Sequence, residues 1–458
     1  MRIAIITFHN TSNFGATLQC YALFSFLKKM GHEVEVINYM PVYVREKKGA
    51  GRELRKINKS NNKAKAVVKG LALLLHTKDI GRKNDRFDSF IRKNLNLSAI
   101  YPDYTTLTKN TPNVDLYICG SDQIWNSELT GGNFDKAFFL SFAKGSKASY
   151  AASFGELNIE EHKQELASLT QDFIGISVRE KSTAKRLSTV LDRQVVTSLD
   201  CTLLLDKDQY YKVEEAVEGL CKPFLLLYNI QNSSISSMLA KKIAEEKKLD
   251  IVDISSNPFE KIPNTRKLND IGPGEFLYLF HNASYVVTNS FHGTAFSIIY
   301  GKQFVTVPHS KRAARVVDLL EILGLKSRIA LESGFVYSST IDYCAVYDRL
   351  LAAREQSISY LRAITSTDGM IIKDLSGAEI SVDERFTKES PKNKHFPSLV
   401  EQRVMCCGCA ACMNICRQSA IEMWEDSEGF LYPHVNADLC IKCYMCESVC
   451  AFKDNLGF

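Results

Sequence analysis

Residues 286–299 read Val286-Val287-Thr288-Asn289-Ser290-Phe291-His292-Gly293-Thr294-Ala295-Phe296-Ser297-Ile298-Ile299. Val286, Val287 and Thr288 have the character of a buried strand end, Asn289 to Gly293 form a polar turn, and Phe296, Ile298 and Ile299 follow at helical spacing. This is a strand-loop-helix unit with a histidine at its mouth. Open α/β sheets hold ligands at the carboxyl ends of their strands, where helix N-terminal amides attract anions, so His292 stands where chemistry is commonly done. A histidine that only caps the helix is the competing use.

The N-terminus repeats this grammar. Ile3 to Thr7 is an apolar strand, His9-Asn10-Thr11-Ser12-Asn13-Phe14-Gly15-Ala16 is a polar turn, and Leu18, Ala22 and Phe26 recur four apart in a helix that Gly31 ends. Glu33 to Tyr39 alternates as the next strand, which makes a strand-helix-strand unit and hence a parallel, Rossmann-like sheet. Gly15 allows close backbone approach to a ligand, and Asn13 opens the same turn. The absence of a GxGxxG pattern disfavours a dinucleotide. Asp115 to Cys119 is a further strand that empties into Gly120-Ser121-Asp122-Gln123-Ile124-Trp125-Asn126. Ser121 and Asp122 offer hydrogen-bonding groups there and Trp125 reads as a pocket wall, with a plain turn as the alternative. Ala148–Ser153 and Phe173–Val178 continue the strands. The second of them delivers Arg179, suited either to clamp a carboxylate or phosphate or to pair with Glu180 or a neighbouring acid on the surface.

A second α/β half begins near Asp200. Its strands are Phe224–Tyr228, Ile251–Ile254, the 286–288 stretch and Phe304–Val307, and its helices include Ile235–Glu246 and Gly274–Asn282. After Phe304–Val307 comes the basic loop His309-Ser310-Lys311-Arg312-Ala313-Ala314-Arg315, a reasonable phosphate site. The expected fold is therefore α/β with two Rossmann-like halves, 1–199 and 200–365. A polar linker over 366–400 and a separate domain over 401–458 follow, with short strands allowed at Met370–Ile372 and Glu379–Val382.

A chain of 458 residues with 45% hydrophobic content can build several ordinary cores. No leader pattern opens it, and Val67 to Leu75 is too short to span a bilayer, so a cytoplasmic location is expected. The net charge of +5 is uneven: between Arg45 and Lys93 there are 16 Lys and Arg against 5 Asp and Glu, so the remainder is acidic. Segment 45–93 could face an anionic glycan or the inner face of a membrane, as a peripheral contact; a solvated pair of helices is the plainer reading. Aromatic interleaving of the kind that binds nucleic acid is missing, and no nucleic-acid partner is expected.

Nine of the 14 cysteines lie between Cys406 and Cys450. Cys20, Cys119, Cys201, Cys221 and Cys344 are scattered among apolar residues and read as small buried hydrophobes. Cys406, Cys409, Cys412 and Cys416 are spaced C-x2-C-x2-C-x3-C, and Cys440, Cys443, Cys446 and Cys450 repeat that spacing. This is the signature of two [4Fe-4S] clusters, one held by Cys406, Cys409, Cys412 and Cys450 and the other by Cys440, Cys443, Cys446 and Cys416. Structural zinc is the weaker competitor. Cys407 is left over, and Arg417 and Ala451 stand where proline is usual.

With these residues in view, Asn13-Phe14-Gly15-Ala16, Gly120 to Asn126, Tyr150 to Gly155, Ser177 to Ser182 and Thr288 to Phe296 together resemble the polysaccharide pyruvyl transferase family, over roughly residues 1 to 365. The resemblance implies a GT-B-like pairing of two Rossmann halves and transfer of the enolpyruvyl unit of phosphoenolpyruvate to a sugar hydroxyl. The acceptor would be a cell-surface or exopolysaccharide precursor, free or lipid-linked. The family's histidine maps onto His292 and its strand-end arginine onto Arg179. Asn13, Gly15, Ser121, Asp122, Ser290 and Arg315 would bind substrate. Where the family carries Arg-Leu-His, this chain has Ser290-Phe291-His292, which removes one guanidinium and leaves Lys311, Arg312 or Arg315 to replace it. The tail from Cys406 to Cys450 is similar to the ferredoxin-like start of coenzyme F420 hydrogenase beta-subunit proteins, which implies a small α+β domain and a redox partner protein. An iron-sulfur oxidoreductase or electron-transfer protein whose larger region only binds a sugar or enolpyruvyl ligand is the alternative.

Overall fold

The structure is a computed structural model that describes residues 1–46, 77–220, 223–230, 233–255, 265–308, 313–331, 340–366, 399, 406, 408–416, 418–426, 429–437, 439–440 and 446. The chain divides into two compact units, 1–379 and 380–458.

The larger unit carries two parallel sheets. The first holds β1 (Arg2–Ile6), β2 (Glu33–Tyr39), β3 (Leu97–Tyr101), β4 (Leu116–Cys119), β5 (Ser146–Ser149) and β6 (Phe173–Gly175) in the order β3-β2-β1-β4-β5-β6. Two short strands, β7 (Ser177–Val178) and β8 (Val196–Thr197), pair beyond it. In the second sheet, β9 (Phe224–Tyr228), β10 (Asp250–Asp253), β11 (Thr265–Lys267), β12 (Tyr285–Thr288) and β13 (Gln303–Thr306) run β11-β10-β9-β12-β13. All neighbours are parallel, and the central strands are apolar throughout because helices cover both faces: Ile3 to Ile6 and Phe224 to Tyr228 are buried. The two Rossmann-like halves expected from the sequence are these sheets. In each, the strand order reverses beside the first strand, at β1/β4 and at β9/β12, and a crevice opens at such a reversal.

One hydrophobic core joins the halves. Helix Phe14–Lys29 follows β1, and residues 14–24 along it are buried, because one side packs on the first sheet while the other meets the second half. Phe14 stacks on Phe276 with ring centroids 4.5 Å apart. The last helix of this unit, Tyr343–Thr365, returns to the first sheet, where the Tyr360 hydroxyl donates to the Ser149 carbonyl at 2.7 Å. Trp125, read from the sequence as a pocket wall, is instead a core residue: it has no exposure, stacks on Phe139 at 5.0 Å and donates Nε1 to the Phe138 carbonyl. Cys20, Cys119 and Cys201 are buried as expected, Cys344 is half-buried and Cys221 lies outside the described residues.

Helix Thr77–Asn94 buries Phe87, Phe90 and Ile91 and points its basic side at the second half. Arg82 Nε pairs with Asp270 at 2.7 Å, Arg86 with Glu275 at 3.1 Å and Lys93 with Glu215 at 3.1 Å. Three cations of the basic segment are thus met by acids of the same chain. Residues 47–76 of that segment lie outside the described residues. Among the described residues no helix is long and apolar enough to cross a membrane.

In the smaller unit, a short helix Ala411–Ile415 precedes an antiparallel hairpin of β14 (Ile421–Glu425) and β15 (Leu431–Val435), in register Ile421 to Val435 and Glu425 to Leu431. Trp424 stacks on His434 with centroids 3.8 Å apart. The strands suggested at 370–372 and 379–382, and almost all of the linker, lie outside the described residues.

Candidate active site

β12 ends in Thr288, whose hydroxyl donates to the Tyr228 carbonyl at 2.9 Å, and Asn289 then bonds sideways into the β9 loop, its Nδ2 donating to Asn229 Oδ1 at 2.6 Å. These bonds hold the turn so that helix Phe291–Ile299 starts at the β9/β12 reversal. Gly293 is required in that first turn, since a Cβ there would overlap the Thr288 hydroxyl. Ser290 occupies the cap position but its side chain makes no cap bond, so it satisfies none of the N-terminal amides of this helix.

The facing wall comes from the first half. Asn13 caps helix Phe14–Lys29, its side-chain oxygen accepting from Gly15 N at 3.0 Å and Ala16 N at 3.5 Å. Gly15 presents bare backbone, and the ring of His292 approaches it: a Cβ on Gly15 would overlap imidazole Nδ1. The β1 loop of one sheet and the β12 loop of the other therefore meet at this glycine.

Arg179, just past β7, is buried. Its Nη1 donates to Asp200 Oδ2 at 2.8 Å and its Nε lies 3.5 Å from Glu180 Oε1. Of the two uses read from the sequence, the acid-paired one is present, with Asp200 as the closer partner. The guanidinium also sits over the Phe291 ring at 5.0 Å, and Arg315 approaches the same ring at 5.9 Å and Glu180 at 4.0 Å. Burial opposes the charge of Arg179, yet Glu180, Asp200 and Asp122 around it hold its pKa above the ordinary arginine value.

Asp200 is the residue that the sequence reading passed over as a site. Its side chain is fully buried; Oδ1 accepts from Thr202 N at 3.1 Å and Thr202 Oγ1 at 2.8 Å, while Oδ2 accepts from Ser121 Oγ at 3.0 Å and from Arg179. His292 Nε2 stands 3.7 Å from the same Oδ2, at ion-pair distance but beyond a hydrogen bond. Burial alone would raise the Asp200 carboxyl, but His292, Arg179 and the Thr202 bond hold it well below the usual carboxylate range. An acid set between Leu199 and Cys201 in an otherwise apolar run was the available signal, because a buried acid must be paired.

His292, Arg179, Ser121, Asp122, Gly15, Ser290 and Arg315 are thus gathered where the two halves meet, with Asn13 in a capping role. Asp122 holds a positive φ of 80° and accepts Gln123 N on Oδ1 at 2.8 Å. Three buried atoms here have no hydrogen-bond partner: Arg179 Nη2, Glu180 Oε2 and His292 Nε2. A guanidinium nitrogen, a carboxylate oxygen and a ring nitrogen are thus left over near the start of helix Phe291–Ile299. Lys311 and Arg312 lie outside the described residues.

Residues 13–311 match the family described as polysaccharide pyruvyl transferase. The chain belongs to that family. The match takes in Gly15, Ser121, Arg179, Asp200 and His292, and it ends well before the cysteine-rich tail. A comparison with curated proteins gives no match. Among solved structures, this transferase is similar to a UDP-GlcNAc 2-epimerase from Neisseria meningitidis bound to UDP-GlcNAc, at 11% identity and a TM-score of 0.44 over 82% of this chain and 98% of that one. It is similar also to S. aureus MnaA with UDP (10% identity, TM-score 0.41, 86% of this chain and 99% of that one). A third is the glycosyltransferase SnogD from Streptomyces nogalater (11% identity, TM-score 0.31, 82% and 99%). Likeness of this degree transfers no substrate and no site to the transferase.

In the tail, the described cysteines are Cys406, Cys409, Cys412, Cys416, Cys440 and Cys446; Cys443 and Cys450 lie outside the described residues. Burial raises the Cys412 thiol, and Cys406 and Cys409 nearby raise it further. Gly408 N donates to Cys406 Sγ at 3.5 Å and Ala420 N to Cys416 Sγ at 3.3 Å. No group of three or more metal-binding side chains forms a site among the described residues.

Proposed function

We propose that this transferase moves the enolpyruvyl unit of phosphoenolpyruvate onto a sugar hydroxyl of a cell-surface or exopolysaccharide precursor. The observation that carries the reading is the pair of unpartnered buried donors, Arg179 Nη2 and His292 Nε2, at the uncapped start of helix Phe291–Ile299. Such a start attracts an anion. The donor's carboxylate or phosphate would lie there, held by Arg179 and by Arg315, both of which approach the Phe291 ring.

His292 is the general acid and base of the reaction. It delivers a proton to the methylene carbon of the donor, which becomes the methyl group as C2 takes on oxocarbenium character. A sugar hydroxyl then adds to C2 and returns its proton to His292, phosphate leaves with the C2–O electron pair, and a second hydroxyl of the same sugar adds to C2 and closes the ketal as its proton passes to the released phosphate. Ser121 and Asp122 line the acceptor side. The surroundings are not strongly positive: Asp122, Glu180 and Asp200 stand against Arg179 and Arg315, and His292 adds a charge only when protonated. The helix start therefore supplies much of the attraction for the donor.

The tail is proposed to hold two [4Fe-4S] clusters on the eight cysteines of its repeated spacing. Two backbone amides donating to cysteine sulfurs suit that chemistry, since such bonds stabilise charge on cluster ligands. Bound clusters would supply one-electron transfer to or from a partner protein. Ketal formation is redox-neutral and draws on none of it.

The test is calorimetric titration of phosphoenolpyruvate into anaerobically purified full-length protein, beside His292→Ala and Arg315→Gln variants. Saturable binding weakened by the arginine change supports the donor site. No binding at millimolar donor removes the pyruvyl-transfer reading.

A further inference from the structure

Resting on the reading that His292 handles the proton, we propose that Asp200 is its positioning residue: one carboxylate oxygen fixes the imidazole with a proton on Nε2 and anchors Arg179 at the same time.

The geometry leaves the ring little choice. On one side, Nδ1 packs against the bare backbone of Gly15. Opposite, Nε2 faces Asp200 Oδ2 at 3.7 Å, and Phe291 stands nearly perpendicular to the ring at 5.3 Å. A lone pair on Nε2 would point at an anion, whereas an N–H there is attracted to it, and the side chain of Asp200 has no solvent exposure to screen the difference. The carboxylate cannot turn away. Thr202 holds Oδ1 through its amide and hydroxyl, and Ser121 and Arg179 hold Oδ2. Glu180, Asp122 and Arg315 complete the charged surroundings, and of these Glu180 and Asp122 act on Arg179.

Two consequences for the reaction follow. The nitrogen that faces the carboxylate makes no hydrogen bond to it, so Asp200 orients the ring without tying it down. Tying Nη1 of Arg179 to the same oxygen leaves Nη2 without a hydrogen-bond partner, so one group sets the positions of both the guanidinium and the imidazole. The carboxylate comes from the connection between the halves, between β8 and β9, while His292 comes from the second sheet and Ser121 and Arg179 from the first half. Asp200 acts through these residues and does not itself touch the donor.

The experiment is nitrogen-15 NMR of the full chain labelled at histidine, with His292→Gln to assign the resonance and Asp200→Asn as the test variant. In the wild type the neutral ring of His292 is expected with its proton on Nε2. In Asp200→Asn it is expected to shift toward the Nδ1–H form, and turnover with phosphoenolpyruvate to fall about 100-fold. A wild-type ring protonated on Nδ1 overturns the proposal, and this reading needs no variant to fold. So does an unchanged His292 resonance in Asp200→Asn whose other histidine signals show a retained fold. If wild type fails to bind phosphoenolpyruvate yet the expected ring shift is seen, the donor assignment fails and the positioning role stands.

Discussion

The imidazole of His292 rests on the α-carbon of Gly15, with no room for a methyl group between them. These residues open helices that follow strands of different sheets, so a side chain at position 15 acts on the histidine across the junction of the halves. Gly15→Ala is expected to push His292 off its place and reduce transfer by about 100-fold or more. Overpacking there should cost about 1–3 kcal/mol of stability. Steady-state kinetics and urea denaturation of the same preparation check both numbers.

Removing Arg179 should destabilise the fold as well as the site. Arg179→Met leaves the Asp200 carboxylate buried without its closest cation, a change that costs about 3–5 kcal/mol. The acid dependence has a definite sign. The folded pKa of Asp200 is depressed, so its contribution is fully present above the ordinary aspartate value of about 3.9 and is lost as pH falls from there toward the lower folded value. Wild type should therefore lose part of its urea midpoint below pH ~4, and Arg179→Met should show less of that loss.

Phe291 is expected to act through its π face. Both Arg179 and Arg315 approach the ring, and Phe291→Leu keeps the apolar volume while removing the quadrupole. Donor affinity should drop about 3- to 10-fold, as two modest cation–π contacts would predict. Calorimetry with phosphoenolpyruvate reads the change, and thermal unfolding shows whether the fold is intact.

The tail should load iron independently of the crevice chemistry. Anaerobic reconstitution is expected to give about eight irons per chain and Cys412→Ser about four, because the two clusters draw on separate ligand sets. Phosphoenolpyruvate affinity should be the same with the clusters oxidised or reduced. A redox-dependent affinity would join the tail to the reaction and redirect attention to electron transfer.

The strand-loop-helix units were legible because buried parallel strands are written as short unbroken apolar runs, and His292, Gly15, Ser121 and Arg179 all follow such runs directly. β3 and β11 were missed for the opposite reason: they are edge strands, partly exposed, with Ser98 and Arg266 inside them. Asp200 follows a strand of only two residues and opens a 3-10 turn, so no periodicity announced it. That Phe14 stacks on Phe276 depends on how two distant helices meet, which local pattern does not encode. Trp125 misled because a rare aromatic after a polar turn looks the same in sequence whether it lines a pocket or fills a core.

Helix Thr77–Asn94 gives the cleft a sensitivity to its medium. It grips the second half by three ion pairs, Arg82 with Asp270, Arg86 with the buried Glu275 and Lys93 with Glu215, and the first and last lie toward the surface, where a pair is worth at most about 1 kcal/mol. Salt screens such pairs. The shared apolar core keeps the halves together regardless, so added salt would slacken the clasp without opening the molecule, and the helix would work as a spring whose stiffness the surrounding electrolyte sets.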